Sequence, residues 1–209
     1  MNEAILTSPL LAQQEWLEHG FGTRHGPLSQ EGMASLKQVH SARCQIADRA
    51  GCAGEGDALL TCAPGIIASV RTADCFPILL ADPVHRAVAA VHAGWRGAAA
   101  GIAVRTLHQM RESFGTRSLD VFAAIGPGIG ACCYEVGEEV GRRFGMEAAG
   151  RLDLAAHNAR QLVQAGVPHS QIETLGACTF CRAERFHSFR RDGARAGRMI
   201  SYVGIKPAS

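Results

Sequence analysis

The chain has 209 residues, 47% of them hydrophobic and 19% charged, which is enough apolar material for a sizeable core and excludes a disordered protein. Twenty-one basic residues against 19 acidic leave a formal net charge of +2, excluding a strongly basic nucleic-acid-coating protein and an acidic tail protein. The basic residues are skewed, 19 Arg to two Lys (Lys37 and Lys206), which reads mainly as genomic base composition and secondarily as Arg used for bidentate anion recognition.

The N-terminal stretch carries an acidic residue and no Lys or Arg before Arg24, the wrong pattern for a signal peptide. The most apolar stretches, 76–81 and 87–91, fall well short of the roughly 18 residues a membrane span needs. A cytoplasmic location is therefore expected, with the eight Cys as thiols rather than a disulfide framework. Runs 66–70, 76–80 and 87–92 read as buried strands, with Pro77 at an edge or at the start of the paired part. Helical spacing of Ala103, Leu107, Met110 and Phe114 predicts a helix within 96–114, stopped by Gly115. A strand at 119–125, helices at 135–144 and 152–165, and a closing strand at 199–205 follow. Apolar segments alternating with Gly-rich turns argue for one α/β or α+β unit.

Cys75 and His92 lie at predicted strand ends, seventeen residues apart, a spacing that suits an antiparallel return. His40 is the third candidate. Two His and one Cys make a tetrahedral zinc site with an open fourth position, as in catalytic zinc. The same residues also read as a metal-free nucleophilic pair, Cys75 activated by His92 with Asp74 nearby. Only the metal reading needs His40. Spacing alone favours neither over a buried thiol and a satisfied core His.

Other signals are weaker. Residues 126–130, Gly-Pro-Gly-Ile-Gly, suit either an anion nest or a tight turn, and match no nucleotide fingerprint. Cys178 and Cys181 have metal-ligand spacing but no second such pair, and the adjacent Cys132 and Cys133 do not supply one. No structural zinc is expected there. Six Arg between residues 182 and 198 form either a solvated face or an anion site. In the latter, Phe186 and Phe189 would stack a base beside Arg190 and Arg191. Nucleic acid is not expected at this net charge. Asn158, on a predicted helix, faces a ligand or water.

Together, several blocks resemble one bacterial family in order. They are Phe21-Gly-Thr-Arg-His-Gly26, Gln38-Val-His-Ser41, Thr72-Ala-Asp-Cys-Phe-Pro-Ile-Leu79 and Ala90-Val-His-Ala-Gly-Trp-Arg-Gly97. Residues 124–136, Cys178-Thr-Phe-Cys181 and Phe186-His-Ser-Phe-Arg-Arg-Asp-Gly193 complete the set. The chain is similar, from Phe21 to Ile205, to the laccase-domain or polyphenol oxidase family, understood as purine nucleoside phosphorylases that also deaminate adenosine. The resemblance implies that His40, Cys75 and His92 bind one zinc, with copper by substitution. It implies a single domain over 1–209 with an α+β fold: packed mixed β-sheets flanked by helices, similar to the cytotoxic necrotizing factor catalytic domain, where a Cys–His pair is catalytic. Family members usually carry a longer segment where this chain has residues 27–36, so a lid or part of the substrate pocket is shortened here.

The implied partners are purine nucleosides and inorganic phosphate, with no nucleic acid and no membrane. Zinc would lower the pKa of bound water to generate a nucleophile for C6 of adenine. Asp74 would protonate the leaving ammonia, and Arg96, or Arg190 with Arg191, would hold phosphate near the ribose. The competing readings are a metal-free Cys75–His92 hydrolase or amidase, a one-copper phenol oxidase and a non-catalytic binding protein.

Overall fold

The apolar runs at 76–80 and 87–92 are buried at every position because both faces of their sheet are covered. The structure, a computed structural model, describes residues 3–26, 29–30 and 32–207. Of the short segment 27–36, residues 27, 28 and 31 therefore lie outside the described residues. The first half of the chain holds β1 (Ile5–Leu6), α1 (Pro9–Ala12), β2 (Leu17–Gly22), β3 (Ala34–Lys37), β4 (Cys44–Ile46), β5 (Gly51–Glu55), β6 (Ala58–Thr61), β7 (Ile67–Thr72), β8 (Phe76–Asp82) and β9 (Ala87–Ala93). The second half holds α2 (Trp95–Ala99), α3 (Ile102–Phe114), β10 (Phe122–Ile125), β11 (Glu135–Val136), α4 (Glu138–Arg142), β12 (Gly150–Arg151), α5 (Leu154–Gln164), β13 (Ile172–Thr174), α6 (Phe189–Asp192) and β14 (Met199–Ile205).

Two mixed six-stranded sheets result, ordered β1-β2-β14-β7-β3-β5 and β13-β10-β8-β9-β6-β4. The alternation of side chains along β8 and β9 divides the core in two. Leu79, Ala81, Val88 and Ala90 face the first sheet and meet Phe21, Val70 and Val203. Ile78, Leu80, Ala89 and Val91 face the other way, against Ile102, Leu107, Met110 and Leu162 of the helices. Each such Leu or Ile contributes about 1.5–3 kcal/mol by its burial. The fold is α+β, two mixed sheets flanked by helices: α2, α3 and α5 cover the outer face of the second sheet, and α1 adds Leu11 to the core between the sheets.

The expected elements change in three places. The helix expected within 96–114 is two helices, because Gly101 adopts φ +73°, a left-handed value that ends α2 and restarts the chain as α3. The helix expected at 135–144 is only α4, since Glu135 and Val136 pair with Gly150 and Arg151 as a small ribbon. The strand expected at 119–125 starts late, after a 3-10 turn over Ser118–Asp120. Pro77 lies in a central strand, paired with His92 of β9 and one residue before the pairing with β10 begins at Ile78. Its carbonyl accepts from the Gly126 amide, so its missing N–H faces the same side, beyond the last paired residue Ile125.

Candidate functional site

The register of the β8–β9 hairpin sets the site. Pro77 pairs with His92 and Ala58 with Val91, so the start of β8, the end of β9 and the start of β6 meet at one edge. Cys75 immediately precedes β8, Asp57 immediately precedes β6, and His40 follows β3 on a loop. One ligand atom each from His40, Cys75 and His92 converges within 4.8 Å of the others. The two imidazoles meet edge to face with centroids 4.9 Å apart. Gly94 leaves the room: a Cβ there would sit 2.9 Å from Cys75 Sγ and 3.4 Å from the His40 ring.

Asp57, which the sequence reading missed, orients the His92 imidazole and pins the backbone of the His40 loop. One carboxylate oxygen accepts from His92 Nδ1 at 2.8 Å and from the His40 amide at 3.0 Å. The other accepts from the Ser41 hydroxyl at 2.7 Å and the Ser41 amide at 2.5 Å. These bonds hold His40 at φ +57°, a left-handed conformation that costs a β-carbon residue about 1–2 kcal/mol. They also fix the proton on His92 Nδ1 and leave Nε2 as the free lone pair, the arrangement a metal-ligating His requires. An Asp ahead of an apolar run is too common a pattern to have flagged it.

Burial alone would raise the Asp57 carboxyl, but His92 and Ser41 outweigh it and draw it down to about 2. Burial likewise pushes the Cys75 thiol up, and hydrogen bonds with His40 and His92 reverse this, bringing it to about 6. His92 is pushed down by burial and lifted more strongly by Asp57 and Cys75, to about 9. Both shifts run toward the Cys75 thiolate, the form that a metal ligand and a nucleophile each require. Two neutral-capable nitrogens and a thiolate fit zinc, and also copper, with one tetrahedral position left open.

Asp74 has φ +83°, and its carboxylate is held by the Thr179 hydroxyl at 2.7 Å and the Arg190 amide at 2.6 Å. Arg190 sends its guanidinium 5.2 Å above the Tyr134 ring and donates to the Glu135 carbonyl. It lines a cavity of about 530 Å³ with Glu135, Gly137, Ala149 and Arg151. Arg191 points elsewhere. All five of its N–H groups are engaged, with the carbonyls of Thr179, Phe180 and Phe186 and both oxygens of Asp192. Arg96 stacks on Trp95, and both line a separate cavity of about 480 Å³ with Arg143.

Asn158 is fully buried in α5; its amide donates to Leu154 O, and its Oδ1 has no partner. Tyr134 was also missed. It is buried within electrostatic reach of Cys75, Asp74, Arg190 and Arg96, and burial first, then Cys75, lifts its hydroxyl to about 12.

One open alternative is decided for the tight turn, and one expectation is corrected. The Gly126–Gly130 loop is not an open anion nest: its amides at 126, 128, 129 and 130 all donate within the chain, to Pro77 O, Ala177 O, Asp74 O and Cys178 Sγ. Cys132 and Cys133 do supply the second pair for Cys178 and Cys181, and the four thiols lie together. Adjacent positions gave no spacing signal, because the pairing is made by two distant loops.

The profile of the family described as multi-copper polyphenol oxidoreductase laccase matches residues 19–206. A protein named purine nucleoside phosphorylase from Deinococcus radiodurans is 40% identical over 185 residues, 84% of this chain and 71% of that one. A protein named adenosine deaminase RL5, from an unknown prokaryotic organism, is 37% identical over 193 residues, 81% of this chain and 72% of that one. Some relatives are longer, and the chain spans 59–60% of their length. The crystal structure of YlmD from Geobacillus stearothermophilus superposes with a TM-score of 0.90 at 27% identity, covering 99% of this chain and 97% of that one.

Proposed function

This chain belongs to the multi-copper polyphenol oxidoreductase laccase family, and from that membership we propose that it is a metal-dependent purine nucleoside enzyme. It splits adenosine, inosine or methylthioadenosine with phosphate into base and ribose 1-phosphate or its methylthio analogue, and deaminates adenosine to inosine. The observation that carries the reading is the convergence of His40, Cys75 and His92 over the carboxylate of Asp57. The names of the relatives supply the substrate class.

His40, Cys75 and His92 would hold zinc, which activates water for hydrolytic attack on C6 of adenine. The chain's own residues do the rest. Asp57 keeps the His92 proton at Nδ1, so that Nε2 faces the site. Asp74 is the proposed donor of the proton to the departing ammonia. For phosphorolysis, Arg190 and Arg96 are the proposed phosphate contacts, since each presents a guanidinium to a cavity. Arg191 is proposed to act behind them, holding the loop that carries Thr179. Asn158 offers its unpartnered Oδ1 as a substrate acceptor. The likeness to the cytotoxic necrotizing factor fold and a cytoplasmic location belong to the same proposal.

One observation favours a second reading, a metal-free Cys75 hydrolase: the thiol drawn down to about 6 beside an imidazolium suits a nucleophile. Product analysis with adenosine, with and without phosphate, on protein of measured metal content separates the two. Inosine without phosphate, and free base with ribose 1-phosphate when phosphate is added, supports the nucleoside reading. No turnover of adenosine, inosine or methylthioadenosine by metal-loaded protein overturns it. Full activity in a metal-free His40→Ala variant moves the assignment to the Cys75–His92 pair.

A further inference from the structure

Apart from the site just described, the chain gathers four thiols on two loops. Cys132 and Cys133 follow β10, and Cys178 and Cys181 follow β13. Their sulfurs all lie within 4.8 Å of one another. Cys181 Sγ is 3.3 Å from Cys133 Sγ and 3.6 Å from Cys132 Sγ, too far for a disulfide of about 2.05 Å. A tetrahedral zinc with Zn–S of about 2.3 Å requires sulfur–sulfur edges of about 3.8 Å, within this spread. Cys178 Sγ also accepts a backbone N–H bond from Gly130, at 3.3 Å. Amide donors aimed at sulfur stabilise a thiolate, the form that binds metal. Packing gives no reason for the cluster, because Cys132 and Cys181 are exposed.

We propose that Cys132, Cys133, Cys178 and Cys181 form a second metal centre, a closed tetrathiolate site for one zinc ion that cross-links the two loops. Among the described residues the two loops also meet through the Gly128–Cys178 bridge, made by Gly128 N to Ala177 O and Thr179 N to Gly128 O at 3.0 Å, and through the Gly130 amide on Cys178. Both also grip Asp74, the neighbour of Cys75. Ile129 N donates to its carbonyl at 2.8 Å, and the Thr179 hydroxyl to its carboxylate. Zinc between the loops fixes the backbone from which Cys75 projects. Four protein ligands leave no open position, so the centre is structural. The inference does not depend on the substrate of the first site.

The test is metal analysis of the full chain purified under reducing conditions, alongside two double variants. Wild type should carry about two zinc ions per chain, one for each set of ligands. His40→Ala/Cys75→Ala should keep one, and Cys132→Ser/Cys181→Ser should lose one. Exchange with cobalt reads the ligands directly: the His40→Ala/Cys75→Ala protein should show the intense sulfur-to-cobalt charge transfer of four thiolates. That measurement leaves the four-thiol cluster intact, so it decides the matter even if the Cys132/Cys181 variant does not fold. No residual zinc and no tetrathiolate spectrum in His40→Ala/Cys75→Ala would overturn the proposal. Iron there, or disulfides among the four Cys in freshly purified protein, would overturn it equally.

Discussion

The two ligand clusters use overlapping chemistry and differ in what surrounds them. His40, Cys75 and His92 stand at the edge of a sheet covered on both faces, and Asp57 orients the His92 imidazole and holds the His40 backbone. The four thiols sit on loops, two of them exposed, and the one hydrogen bond from outside the cluster, among the described residues, is the Gly130 amide on Cys178. Three ligands with a carboxylate behind them leave a coordination position for chemistry. Four ligands leave none. The contrast teaches that the neighbours of a ligand set, more than the ligands, separate a reacting centre from a staple.

The sharpest way to break this contrast is Cys75→Ala. It should remove metal from the first centre only and abolish deamination, lowering it by more than the roughly 100-fold that loss of an outer partner can cost. Loss of metal from both centres, read by metal analysis, would show that the two are not independent. Asp57→Asn comes next. The amide keeps the shape but halves the acceptors, and metal affinity at the first centre should fall about 10–100-fold, with the tetrathiolate centre unchanged in a competitive chelator titration.

Three further substitutions separate site from scaffold. Gly94→Ala drives a methyl to 2.9 Å from Cys75 Sγ. It should cost about 1–3 kcal/mol in denaturant unfolding and weaken metal binding at the first centre. Arg191→Ala unties the carbonyls of Thr179, Phe180 and Phe186 and should cost about 2 kcal/mol, whereas Arg190→Ala should spare stability and weaken phosphorolysis. Full phosphorolysis in Arg190→Ala would return that side chain to a solvated face.

The smallest effect is on acid stability. Burial holds His19, His157 and His187 below the ordinary histidine value of 6.5. Ser8 N donates to His19 Nε2 at 2.9 Å, which needs that nitrogen unprotonated. The unfolded chain then binds protons more readily than the folded one. The stability tied to these groups is complete above 6.5 and is lost as pH falls through it toward the lower folded values. His19→Gln should flatten that slope slightly in thermal melts across the range.

How much of this was legible follows from what each residue advertises. The strands at 76–80 and 87–92 were readable because burial on both faces writes a near-continuous apolar run, and the one at 66–70 because it is short, mostly apolar and bounded by Gly65. Cys75 and His92 were readable because one hairpin joins them, and His40 because its block stood in the order of a known family. The short strands β4, β5 and β13 were not, being only half-buried or exposed and carrying no period. Asp57 was hidden because its role depends on a loop seventeen residues earlier folding back over it. The Cys132–Cys133 pair was set aside because spacing arguments work within a segment, and this cluster is built across 48 residues of chain. Arg190 and Arg191 looked equivalent in sequence; the short helix α6 turns one to a cavity and the other into the loop beneath it.

The β8–β9 hairpin also offers a built-in ruler. Its reacting end lies at Cys75 and His92, and its turn lies at the other end of seven fully paired residues, about 20 Å away. Asp82 braces that turn by accepting from Val84 N and His85, leaving the Val84 side chain exposed. A spin label or fluorophore attached at Val84 would therefore report on the metal centre along a rigid strand without touching it. Chain inserted at that turn would lengthen the protein while leaving the register, and the spacing of Cys75 from His92, unaltered in space.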